Sequence, residues 1–128
     1  MATVLIVDNN LGDRKKIGDI LTAEGLNFVE VIDGLEALEK LPFIRPDLII
    51  LDVILPKMNG YEVCRKIKSN PETKKIPVLF CTSCKEQYER YWGLKQGADA
   101  YISKPFKTKE FIIIIRQLLK YPHFTLDL

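Results

Sequence analysis

With 128 residues, 47% of them hydrophobic, the chain suits one compact domain with a single core, so any output is expected to be a surface and not an appended effector. The net charge is +2, with Lys and Arg interleaved with Asp and Glu throughout, so neither nucleic acid nor a membrane is expected as a charge-driven partner. The longest apolar runs, Thr3 to Val7 and Phe111 to Ile115, are far shorter than the roughly 20 residues of a membrane span. Met1 leads into a strand-like run with no signal peptide, and the three cysteines, Cys64, Cys81 and Cys84, are an odd count that reads as reduced thiols. A cytoplasmic protein is expected.

Taken in order, the first strand is predicted at Val4-Leu5-Ile6-Val7, where unbroken β-branched and aliphatic residues read as buried on both faces. Ile17, Ile20 and Leu21 then mark a helix, closed by Gly25 in the left-handed conformation. A weaker strand follows at Phe28 to Ile32, and Leu35, Leu38 and Leu41 mark the second helix. Leu48-Ile49-Ile50-Leu51 is the third strand, and Tyr61, Cys64 and Ile67 mark a helix ended by Asn70-Pro71. Val78-Leu79-Phe80 is the core of the fourth strand, followed by a helix ended by Gly97, and Ala100 to Ser103 is the fifth strand. The last helix spans about Thr108 to Lys120. Five strand-helix alternations with right-handed crossovers predict an α/β doubly wound parallel sheet over residues 1–120, with 121–128 as a C-terminal tail. That tail is apolar and holds His123, the only histidine; fraying is expected, with packing on a neighbour as the alternative.

In an open parallel sheet, ligands bind beyond the carboxyl ends of the strands. Asp8, Asp52, Thr82 and Lys104 each follow such a strand. Taken singly, Asp8 and Thr82 could be helix caps and Lys104 a solvated lysine, but the four together form a phosphoryl-transfer set. A carboxylate can act as nucleophile, and the remaining work is positioning and charge neutralisation. Mg2+ suits an oxygen-lined site, an ammonium supplies a point charge, and a hydroxyl supplies a hydrogen bond.

These residues resemble those of bacterial response-regulator receiver domains from Met1 to about Lys120. The resemblance rests on Val7-Asp8, on Asp52 followed by Pro56 and Gly60 (D-x-x-x-P-x-x-x-G), on Thr82, and on Tyr101 with Lys104-Pro105-Phe106. It implies a flavodoxin-like five-stranded fold with five helices, Asp52 as phosphoacceptor, and Mg2+ held by Asp8, Asp52 and the backbone carbonyl of Ile54. It implies phosphate contacts from Thr82 and Lys104, a cis Lys104-Pro105 bond, and a sensor histidine kinase or phosphotransfer protein as phosphodonor. The segment Gln87 to Tyr101 looks like that of single-domain regulators of twitching motility and phototaxis. The expected protein is then no turnover enzyme but a phosphoacceptor that assists its own phosphorylation and dephosphorylation.

Asn9 departs from the family pattern, which places a second acid there, in direct contact with the metal. A neutral carbonyl at that position predicts weaker Mg2+ binding, by on the order of a few kcal/mol at an effective dielectric of about 20. A module that interacts without phosphorylation is the alternative.

The resemblance further implies a switch: the phosphoryl group on Asp52 draws Thr82 toward it, Tyr101 swings into the vacated space, and the face formed by the fourth helix, fifth strand and fifth helix changes its binding to a protein target. Tyr88, Tyr91 and Trp92 crowd the fourth helix, which can bury only one stripe, so at least one is expected in solvent, as a partner surface or else as a residue of the core edge. Cys81 and Cys84 have the C-x-x-C spacing of a thiol-redox protein, a rival reading. An aspartyl-phosphate hydrolase is another rival, but its second Asp would stand where Ile54 does. Ile54 and Cys84 flank the path of a hydrolytic water in this family, which predicts slow loss of the phosphoryl group.

Overall fold

A strand whose every residue is apolar has to be covered on both sides, and that requirement organises the whole chain. In the computed structural model, which describes residues 2–84 and 86–120, the order is β1 (Thr3–Val7), α1 (Leu11–Ala23), β2 (Asn27–Val31), α2 (Gly34–Ile44), β3 (Leu48–Leu51) and α3 (Gly60–Ser69). It continues with β4 (Val78–Thr82), α4 (Gln87–Lys95), β5 (Ala100–Ser103) and α5 (Thr108–Leu119). All neighbouring strands are parallel, in the order β2-β1-β3-β4-β5, which is the doubly wound, flavodoxin-like arrangement expected. The tail 121–128, with His123, lies outside the described residues.

Successive strand residues face opposite sides. Leu5, Val7, Ile49, Leu51 and Phe80 pack with Ala37, Leu41, Val63 and Ile67 from α2 and α3. Val4, Ile6, Ile50, Leu79 and Ile102 pack with Ile17, Leu21, Phe111 and Ile115 from α1 and α5. The helix ends follow their local chemistry. The side chains of Asn10, Asp33 and Asn59 accept the amides of Asp13, Glu36 and Glu62 at the starts of α1, α2 and α3, while Gly25 and Gly97 take the left-handed conformation after α1 and α4.

Two expectations shift. β2 begins and ends one residue earlier than Phe28 to Ile32, because its pairing with β1 joins Thr3 to Asn27 and Val7 to Val31 and leaves Ile32 exposed. On α4 all three aromatics face solvent, with Tyr88, Tyr91 and Trp92 at 64%, 58% and 52% exposure, so the core-edge reading does not hold for them. The one buried residue of α4 is Gly93, which lets the helix lie close on the rings of Phe80 and Tyr101. No helix among the described residues is long and apolar enough to cross a membrane.

Candidate functional site

The register of the sheet brings the strand-end residues together. Val7 pairs with Leu51, and the Asp52 amide donates to the Val7 carbonyl at 3.0 Å, so Asp8 and Asp52 leave adjacent strands side by side. Thr82 pairs with Ser103, and the Lys104 amide donates to the Thr82 carbonyl at 2.8 Å. The Lys104-Pro105 bond is cis, as expected.

Lys104 is the centre of the cluster. Its Nζ donates to Asp8 Oδ2 at 2.6 Å, Asp13 Oδ2 at 2.9 Å and Asp52 Oδ2 at 3.0 Å, so each of the three N–H bonds of the ammonium has a carboxylate. Asp8 is 2% exposed, and its Oδ1 accepts the Asn10 amide at 2.8 Å. Asp52 Oδ1 accepts the amides of Val53 at 2.7 Å and Ile54 at 3.3 Å, which leaves Oδ2 as the oxygen turned toward Lys104. Neither Asp8 nor Thr82 caps a helix. The caps of α1 and α4 are Asn10 and Glu86, so the structural explanations for both residues fall away.

Burial pushes the Asp8 carboxyl above the ordinary carboxylate range, outweighing the hydrogen bonds from Lys104 and the Asn10 amide. Burial acts on Lys104 in the opposite sense, but the carboxylates of Asp13, Asp8 and Asp52 overcome it and hold the amine above its usual value. The pair thus divides unevenly: Lys104 draws on three acids, while Asp8 has a third of one cation.

Asp13 is the residue that sequence reasoning missed. Its only signal was an acid in the first turn of a helix, a preference that the helix dipole explains without any site.

Pro56 and Gly60 shape the loop after Asp52. The Gly60 amide donates to the Val53 carbonyl at 2.7 Å, and a Cβ on Gly60 would collide with the backbone carbonyl of Asp52. The final glycine of D-x-x-x-P-x-x-x-G is therefore a spacing requirement: α3 starts hard against the backbone of Asp52.

Asn9 and Ile54 line, with Asp8, Asp13, Asp52 and Lys104, a cavity of about 300 Å3. Among the described residues, no group of three or more His, Cys, Asp or Glu side chains is placed to hold a metal by itself. A cation here would take carboxylate oxygens together with backbone and water oxygens, a mixture that Mg2+ accepts. Three carboxylates against one ammonium leave two net negative charges for it to neutralise.

Thr82 is fully buried, and its Oγ1 accepts the Cys84 amide at 3.3 Å. The Tyr101 hydroxyl donates to the Cys84 carbonyl at 2.6 Å, and the ring, 4% exposed, lies 6.0 Å from that of Phe80. The Tyr101 ring is thus turned inward, with its hydroxyl tied to the backbone two residues after Thr82.

The thiol-redox reading finds no support. Cys81 packs on the α1 and α5 side and Cys84 on the other; burial pushes the Cys81 thiol up to about 12 and also raises that of Cys84. For the hydrolase reading, Ile54 stands 64% exposed where a second acid would be needed.

A family model described as the response regulator receiver domain matches residues 4–116. The chain belongs to that family. As a receiver domain it is a component of two-component signalling. It is 35% identical over 117 residues to the DNA-binding response regulator MtrA of Mycolicibacterium paratuberculosis, an alignment covering 91% of this chain and 51% of MtrA. The receiver domain thus spans about half the length of the curated relatives it matches. Among solved structures, a putative response regulator from Chloroflexus aurantiacus superposes with a TM-score of 0.90 at 30% identity, covering 94% of this chain and 98% of that one. The receiver domain of a sensor histidine kinase from Pseudomonas aeruginosa, described with a magnesium ion coordinated in its active-site cleft, gives 0.86 at 28% identity, with the same coverage of 94% and 98%.

Proposed function

We propose that this receiver domain is phosphorylated on Asp52 in a Mg2+-dependent step and relays that event to a protein target through the face formed by α4, β5 and α5. The observation that carries the reading is the Lys104 ammonium bound to Asp8, Asp13 and Asp52 at 2.6, 2.9 and 3.0 Å. Such a cluster is costly as structure, since buried like charges repel, and becomes useful when a phosphoryl group and a cation arrive.

In the step, the Asp52 Oδ2 attacks the phosphorus of a phosphohistidine on a sensor histidine kinase or phosphotransfer protein. A P–O bond forms and the P–N bond breaks; the imidazole keeps the bonding electrons and takes a proton from solvent. Val53 and Ile54 amides hold Oδ1, which orients Oδ2. Lys104 moves from carboxylate to phosphoryl oxygen, and the Thr82 hydroxyl donates to another. Asp8, Asp52 and the Ile54 carbonyl would hold Mg2+, with the Asn9 carbonyl as a weak addition. When bound, the ion neutralises charge on the transferring oxygens. On the output face, the exposed Tyr88, Tyr91 and Trp92 provide aromatic anchors for a partner.

Intact mass after incubation with a small-molecule phosphodonor and Mg2+ tests this reading. The native chain is expected to gain one phosphoryl group and Asp52→Asn none, and the adduct is expected to decay more slowly than a free acyl phosphate. No gain at high Mg2+ would favour a module that interacts without phosphorylation.

A further inference from the structure

We propose that Asp13 is a positioning residue of this site: from the first turn of α1 it supplies the negative charge that Asn9 lacks, and it anchors Lys104 while Asp8 and Asp52 change partners. The proposal rests on the reading of Asp52 as a Mg2+-dependent phosphoacceptor.

Asp13 Oδ2 lies 2.9 Å from Lys104 Nζ, and the Asp13 side chain is 39% exposed against 4% for Asp8 and 12% for Asp52. It therefore stands at the solvent edge of the cluster, with the two buried acids behind the ammonium. Its backbone is seated by the α1 cap, where the Asn10 side chain accepts the Asp13 amide at 2.9 Å. The cap uses the amide alone, so the carboxylate is available to Lys104.

A divalent cation held by Asp8 and Asp52 would compete with Lys104 for the negative charge of those two carboxylates. Without Asp13, an ammonium displaced from them would have no carboxylate and would face the incoming charge. With Asp13, it keeps one anchor outside the ligand set. Asp13 also brings the site to three carboxylates even though residue 9 is neutral. Both effects favour the cation, and both vanish when the Asp13 charge is removed.

The test is a Mg2+ titration, followed by amide chemical shifts, of the native chain, Asp13→Asn, Asp13→Glu and the double variant Asn9→Asp/Asp13→Asn, with a thermal melt on each to establish folding. Asp13→Asn is expected to bind Mg2+ about tenfold more weakly, the loss of one nearby charge at partly screened distance. Asp13→Glu should recover part of that loss, and the double variant, with the charge returned at residue 9, should recover most of it. Unchanged affinity in Asp13→Asn, or a double variant no tighter than the single one, would overturn the role. A native chain that neither responds to Mg2+ nor gains mass would overturn the phosphoacceptor reading together with it. Native binding with an indifferent Asp13→Asn sinks only the role of Asp13.

Discussion

The 2.6 Å contact between Lys104 and Asp8 has opposite consequences for its two partners as pH changes. Lys104 has a folded value above its usual one, so its contribution to stability is complete below the ordinary lysine value and fades only in strong alkali. Asp8 is also raised, which for an acid means that the folded chain holds the proton more tightly than the unfolded one. Its contribution is complete below about pH 3.9 and is lost as pH rises through the folded value, so at neutral pH the ionised group works against folding. Asp8→Asn should then raise the melting temperature by a few degrees at pH 7, with the gain shrinking toward pH 4. Lys104→Met should cost about 2 to 4 kcal/mol at pH 7, because three carboxylates lose their shared cation. Denaturant titrations of both variants across pH check the two signs. At this scale Asp8, Asp52, Thr82 and Lys104 were legible because each ends a strand. Asp13 was not, because its role depends on where α1 starts relative to the end of β5.

At the scale of elements, α3 and α4 are set by glycines. A Cβ on Gly60 would strike the backbone of Asp52 and Val53, which cannot rotate away as a side chain could. Gly60→Ala should therefore cost about 3 kcal/mol or more in urea unfolding, and the surviving folded fraction should phosphorylate poorly. On α4 the balance reverses. Trp92 stands 52% exposed, so Trp92→Ala should change stability by less than about 0.5 kcal/mol while weakening affinity for a partner docked on that face. The two measurements, made on the same variant, separate a recognition residue from a packing one. Three of the strands followed from unbroken apolar runs and three helix ends from Gly25, Asn70-Pro71 and Gly97, whereas the caps at Asn10 and Asn59 emerged only from the structure. The orientation of α4 was not legible either, because its burial signal is a single glycine under a row of aromatics, and helical periodicity counts side chains that glycine does not have.

For the molecule as a whole, the α/β order was readable because three apolar runs and two weaker strand segments alternate with helical stretches, and handedness rules leave few ways to close such a sheet. Strand order β2-β1-β3-β4-β5 makes β1 and β3 neighbours, and the Asp52 amide bonded to the Val7 carbonyl locks their ends in step. Asp8 and Asp52 are 44 residues apart in sequence, yet no loop motion can separate them without opening the sheet. A cation that takes both carboxylates therefore has no site in the unfolded chain, and raising Mg2+ to about 100 times its dissociation constant should add about 2.7 kcal/mol to stability. A melting temperature that ignores Mg2+ would contradict this. Because Asp8 and Asp52 are brought together by the central strand pair instead of one flexible loop, the proposed cation would bind the folded chain alone, and its occupancy would be linked to folding. The melting temperature, followed against Mg2+ concentration, would then be a binding isotherm read in degrees.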